Sequence, residues 1–162
     1  HRAENDSRLV ERCFTMFMGL PVRMGKLGYC FSAPFGVIMP GCDLVQPDFT
    51  IVTAARNHII TDKGVRGVPD ALIEILSPHH RAYDLDDKRA AYATAGVPEY
   101  GILDPDKRLF MLYALEAIGL YGEPRTFRGD DPITFACLPT ISFTVNDLFL
   151  HAPDELWKPD GS

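Results

Sequence analysis

The sequence predicts an α+β fold, one mixed β-sheet flanked by helices, and three stretches carry that reading. Residues 7–20 place Leu9, Val10, Cys13, Phe14, Phe17 and Met18 at helical spacing, the stripe of a helix packed on a core. Residues 71–76, ALIEIL, form an apolar run between Pro69 and Ser77-Pro78. It is too short for a helix and rich in isoleucine and leucine, as a buried strand is. Residues 85–95 then read as a helix and 100–103 as the next strand, so a strand-helix-strand unit forms the centre of the chain.

Length and composition bound the rest. The 162 residues suit a single domain with a real core, and 46% apolar content is ordinary for a globular protein. That domain is expected to span 1–162, with a proline-rich tail at 151–162, and because the chain opens on a histidine a further N-terminal segment is expected to precede it. The 22 acids against 16 bases, a formal charge of -6, argue against coating nucleic acid by bulk electrostatics while leaving room for a local basic cleft. Cys13, Cys30, Cys42 and Cys137 form no CxxC pair, so they read as core residues of a reduced, cytoplasmic protein. No apolar run approaches the ~18 residues of a membrane span, and no signal peptide is visible.

Taken in order, the first helix covers 7–20, with Asp6 or Ser7 as its cap and Pro21 ending it. Residues 27–40, punctuated by Pro34 and Gly36, predict two short strands joined by a turn. Gln46-Pro47-Asp48 leads into a strand at Phe49, Ile51 and Val52, with an acid at its mouth. The polar stretch 53–67 holds Arg56, His58, Lys63 and Arg66, and reads either as a solvated loop or as a place for phosphate contacts. Within 71–76, strand alternation puts Leu72, Glu74 and Leu76 on one face and Ala71, Ile73 and Ile75 on the other. A carboxylate among leucines must be paired, protonated or metal-bound.

For the helix at 85–95, Asp84 is the expected N-cap, Asp86 and Asp87 suit the first turn, and Gly96 with Pro98 stops it. Asp84, Lys88 and Tyr92 share a face at four-residue spacing, which directs Lys88 towards Glu74. Tyr92 and Tyr100 read as core aromatics with satisfied hydroxyls. Residues 104–107 are a turn, 108–115 the returning strand, and 119–121 and 126–128 added edge strands. Residues 141–150 read as a strand running into a helical turn.

Asp48, Glu74 and Lys88 call for one chemical account. Two carboxylates on adjacent strands make a hard-oxygen site of the kind magnesium uses, completed by water and a substrate phosphate. Such a metal activates water and stabilises charge building on phosphorus, and a nearby ammonium orients the nucleophile. Together they suggest phosphodiester hydrolysis. Each residue also has a structural reading: Glu74 and Lys88 as a buried ion pair, Asp48 as a turn residue, Asp84 as a cap, and His79-His80 as surface histidines rather than a metal or proton-transfer site. Asp70 belongs to a second Pro-Asp, but about 13 Å of extended chain separates it from Glu74, too far to share one metal.

These residues resemble a known pattern. PD-(D/E)xK nucleases carry Pro-Asp at one strand and an acid, any residue and lysine on the next, and here Pro47-Asp48 is followed by Glu74-Ile75-Leu76. Leu76 stands where the lysine belongs; some branches supply it from the neighbouring helix, where Lys88 lies. QPDFTIV, VPDALIEILSP, Asp84 with Lys88, YATAGVPEYGILDP and LPTISFTVNDLF resemble the bacterial Uma2 family of restriction-endonuclease-like proteins over 42–147. The resemblance implies a restriction-endonuclease-like core, a divalent metal (magnesium or manganese) and DNA as substrate, with Asp48 and Glu74 as metal ligands and Lys88 as the catalytic lysine. Arg81, near the helix entry, would clamp a phosphate. Enzymes of this fold that cut both strands generally work as dimers, so the resemblance leaves a homodimer open as a partner, and the sequence itself does not fix the oligomeric state. The family's further acid, in a segment before the first helix, is expected to lie outside this chain, and Gly101 replaces the family's usual tryptophan. The alternative is a catalytically silent module of the same fold, acting in DNA binding or dimerisation, and no helix-turn-helix or other reading element is visible.

Overall fold

The N-terminal helix runs further than its apolar stripe predicts. The structure, a computed structural model, describes residues 2–77 and 82–150. In it α1 (Arg2–Phe14) passes through a π-helical turn (Thr15–Gly19) into α2 (Leu20–Met24), so Pro21 does not end the helix. Proline is tolerated because it falls in the first turn of α2, directly after the widened turn in which the Leu20 N–H donates to Thr15 O, five residues back. Val10, Phe14, Met18 and Val22 are all buried. A strict spacing of four drifts off one face of a 3.6-residue helix, and the longer π turn returns it to the sheet.

Six strands form the main sheet in the order β1-β3-β6-β7-β8-β9: β1 (Gly28–Ser32), β3 (Phe49–Thr53), β6 (Ala71–Ile75), β7 (Glu99–Asp104), β8 (Leu109–Ala114) and β9 (Arg125–Phe127). Neighbours are antiparallel except β6 and β7, whose parallel pairing follows from the crossover through α3 (Ala82–Ala95). The sheet is therefore mixed, as expected. Gly96, at φ +89, ends α3, and the N–H groups of Gly96 and Val97 both reach Tyr92 O. Because α3 already includes residue 82, Asp84 lies inside the helix and not at its cap.

The strands predicted within 27–40 are both present but belong to different sheets. β2 (Val37–Ile38) joins β5 (Gly64–Arg66) and β4 (Ile60–Thr61) in a small sheet of order β2-β5-β4. The polar stretch 53–67 is thus not a loop: a 3-10 turn (Ala54–Ile59) leads into the β4–β5 hairpin. Its sequence hides this because Asp62 and Lys63 occupy the turn and leave only short flanking runs. Of the expected later strands, 119–121 supplies a single bridge, Tyr121 to Leu115, and Phe143 bridges Ile133 before a 3-10 turn (Asn146–Phe149).

The main sheet is covered on both faces. Ala71, Ile73 and Ile75 pack with Phe49 and Ile51 under Phe14 and Met18 of the N-terminal helix and under Phe135 and Phe143. Leu72 lies on the opposite face with Val52, Tyr100, Ile102 and, from α3, Tyr92. The alternation read from ALIEIL therefore holds. At Gly101 a Cβ would come 2.6 Å from Phe110 Cζ and 3.3 Å from Ile73 Cγ1, so the ring of Phe110 fills the space that a side chain at 101 would need.

Candidate active site

The antiparallel register of β3 and β6 decides which acids meet. Phe49 pairs with Ile73 and Ile51 with Ala71, so Asp48, just before β3, comes beside the end of β6 that carries Glu74. The Asp48 carboxylate is anchored there: its Oδ2 accepts the Ile75 backbone N–H at 2.7 Å. Glu74 is 3% exposed on the α3 side of the sheet. Its Oε1 lies 3.3 Å from Lys88 Nζ and accepts the Tyr92 hydroxyl at 2.9 Å. Lys88 and Tyr92 are one turn apart on α3, so the helix face predicted from four-residue spacing is the one that meets the carboxylate.

The Glu74 carboxyl is raised to about 7 in all: burial pushes it up most, the Lys88 ammonium pulls it down, the negative charge of Asp48 raises it again, and the Tyr92 hydrogen bond lowers it. Tyr92 is itself driven upward, first by burial and then by the Glu74 charge, and so stays a protonated donor. Glu11 on α1 joins this field. Its carboxyl is raised by partial burial and next by Asp48, with Arg8 opposing. Glu11 is not among the residues that the sequence singles out. The available signal was its position: Glu11 precedes Phe14 and Met18 by three and seven residues, on the edge of the buried stripe.

Asp70 provides an internal comparison. Its Oδ2 accepts the Thr53 N–H at 2.7 Å, so each Pro-Asp opens one strand and ties down the far end of the other. The two acids thus sit at opposite ends of the β3–β6 pair, and only Asp48 shares its surroundings with Glu74 and Glu11. Arg81, His79 and His80 lie outside the described residues. The Tyr100 hydroxyl, expected to be satisfied, is buried with no hydrogen-bond partner among the described residues, in a ring whose titration is raised by burial and then by Glu74.

Among the described residues no group of three or more histidine, cysteine or acidic side chains is placed to enclose a metal ion. Two hard-oxygen donors, Asp48 and Glu74, nonetheless repel one another, and an orphaned hydroxyl lies beside them. That donor set fits a hydrated cation of the magnesium kind, which takes one or two carboxylates and keeps water for its other positions.

Carboxylates held at one end of an antiparallel strand pair, facing a lysine on the crossover helix, sit within a nuclease-like α+β fold. A crystal structure of a "putative nuclease belonging to DUF820" from Anabaena variabilis superposes with a TM-score of 0.69 over 93% of this chain and 81% of that one, at 16% identity. The chain belongs to the Uma2 family, described as "Putative restriction endonuclease", whose model matches residues 3–146. Among curated proteins no match was found. In the described residues no helix is long and apolar enough to cross a membrane.

Proposed function

We propose that the protein is a divalent-metal-dependent endonuclease that hydrolyses DNA phosphodiester bonds. The observation that carries this reading is the convergence of Asp48, Glu74 and Lys88 at one end of β3 and β6, with Glu74 buried between a like charge and an ammonium. Asp48 and Glu74 would hold magnesium or manganese, which when bound supplies charge neutralisation at the scissile phosphate and a more acidic water. The chain's own contribution is positioning. Asp48 is fixed by the Ile75 N–H, and Tyr92 fixes Glu74 through Oε1. Lys88, its side chain about one-third exposed, keeps its ammonium between the buried carboxylate and solvent, where it can donate to the attacking water or to a phosphate oxygen.

A catalytically silent module is the second reading. Two observations favour it: Leu76 occupies the usual lysine position, and the Asp70 twin shows that a Pro-Asp here can be structural alone. Cleavage of supercoiled plasmid with magnesium or manganese separates the two, with Glu74→Gln and Lys88→Ala prepared in parallel. Nicking by the parent chain that both variants lose supports the nuclease and the lysine on the helix. Equal nicking by all three proteins places the activity elsewhere, and no nicking by any favours the silent module. Cutting both strands would call for two copies of the chain, which gel filtration on DNA would reveal.

A further inference from the structure

Beside the carboxylates, on the α1 side, lies a hollow of about 440 Å³ lined by Arg8, Glu11, Arg12, Thr15, Ser32 and Pro34. It adjoins the candidate active site: the Ala33 N–H on its wall donates to the Asp48 backbone O at 3.0 Å, and the Glu11 carboxyl feels the Asp48 charge. Its base is polar, with Thr15 Oγ1 and Ser32 Oγ 3.4 Å apart. Arg8 and Arg12 stand exposed one helical turn apart, about 6 Å along the axis.

Other arginines of the chain are held by rings: Arg23 over Tyr29, Arg89 over Tyr113, Arg125 over Phe127. Among the residues whose side chains the structure describes, residues 2–6 not included, Arg8 and Arg12 make no ion pair with a carboxylate. A chain of net charge -6 whose site gathers Glu11, Asp48 and Glu74 repels a polyanion, and Lys88 is engaged by Glu74. Binding a nucleic-acid strand at this site therefore needs a local source of positive charge, and guanidinium groups suit phosphate because they present paired donors. We propose that Arg8 and Arg12 form a phosphate subsite, seating successive phosphodiesters of the DNA strand beside the scissile bond. This rests on the nuclease reading and deepens it.

The test is a salt series of binding to a short fluorescein-labelled DNA duplex, followed by anisotropy in EDTA. The parent chain is compared with Arg8→Gln/Arg12→Gln, Arg8→Lys/Arg12→Lys and, as a control, Arg125→Gln/Arg128→Gln. Losing two phosphate contacts makes the slope of log K against log salt shallower by about 1.8, at about 0.9 per contact. The lysine pair restores most of the slope, and the control matches the parent. An unchanged slope in the glutamine pair overturns the subsite alone, as does a parent that cuts plasmid with magnesium but binds no duplex in EDTA, since these arginines need no metal to hold phosphate. Arginine-dependent binding to duplex RNA but not to DNA overturns the assignment to DNA. A parent that neither binds duplex nor cuts plasmid removes the nuclease reading and the subsite together.

Discussion

Glu74→Gln tests the electrostatics of the site without assuming any activity. A carboxyl that titrates near 4.5 in the unfolded chain and at about 7 in the folded one holds its proton more tightly when folded, by roughly 3 kcal/mol at 1.36 kcal/mol per pH unit. The sign follows from linkage. Because the folded value is raised, the contribution is fully present below about pH 4.5, declines as pH rises, and is gone above about 7. Glutamine keeps an oxygen for the Tyr92 hydroxyl but cannot ionise, and Lys88 is exposed enough to turn towards solvent. Parent and variant should therefore melt close together near pH 4.5, while the variant gains about 3 kcal/mol relative to the parent by pH 8, roughly 6–12 °C in Tm for a chain of this size. The assay is a pair of thermal melts by circular dichroism across that pH range, read as the difference so that other titrating groups cancel. With magnesium at pH 8 the parent should recover part of the gap and the variant little, because a ligand bound by the folded state stabilises it. A difference that stays constant with pH would refute the reasoning, since Glu74 would then be ionised at no cost.

Two further perturbations separate structure from chemistry. Tyr92→Phe removes a buried hydrogen bond to a carboxylate and should destabilise by about 1.5–3 kcal/mol in urea melts at pH 8; since that bond holds the Glu74 titration down, the pH at which Glu74 ionises should also rise. Asp48→Ala and Asp70→Ala each orphan a strand-end N–H bonded at 2.7 Å, so both should lose about 1–3 kcal/mol of stability. Only Asp48→Ala should abolish plasmid nicking, and equal loss of nicking in two equally folded variants would show that Asp48 acts as a structural clamp alone.

Much of this was legible in the sequence for local reasons. ALIEIL fixes its own alternation, and a carboxylate in that pattern is conspicuous at any scale of reading; the four-residue spacing of Lys88 and Tyr92 likewise needs only helix geometry. What stayed hidden depended on long-range packing. The four-residue repeat Val10, Phe14, Met18, Val22 does record the π turn, but Pro21 outweighs it as a local stop signal. The small sheet pairs β2 with β5 across residues 39–63, a parallel contact that no nearby turn announces. Glu11 shows neither apolar neighbours on both sides nor a Pro-Asp motif, and comes within the field of Asp48 only because α1 packs on the start of β3, Phe14 against Phe49.

On the nuclease reading, Lys88 on α3 stands in for a lysine at position 76, which here is leucine. Leu76 shares a face with Glu74, its N–H donates to Leu103 O at 2.8 Å, and its side chain packs against the core cluster that also holds Leu72, Tyr92 and Tyr100. A leucine there adds to the seating of α3, and α3 in turn delivers Lys88 to the carboxylate from above. On that reading the two positions would divide between them what one lysine would have to do, packing and charge. If so, Leu76→Lys in a Lys88→Ala background should restore part of the nicking that Lys88→Ala loses, since residues two apart on a strand lie about 7 Å from one another, within the reach of a lysine side chain. The restored protein should be less stable than Lys88→Ala alone by about 1–3 kcal/mol, for the apolar packing it gives up. Full folding of the double variant with no return of nicking would mean that the ammonium must come from the helix, and that position 76 cannot serve as its substitute.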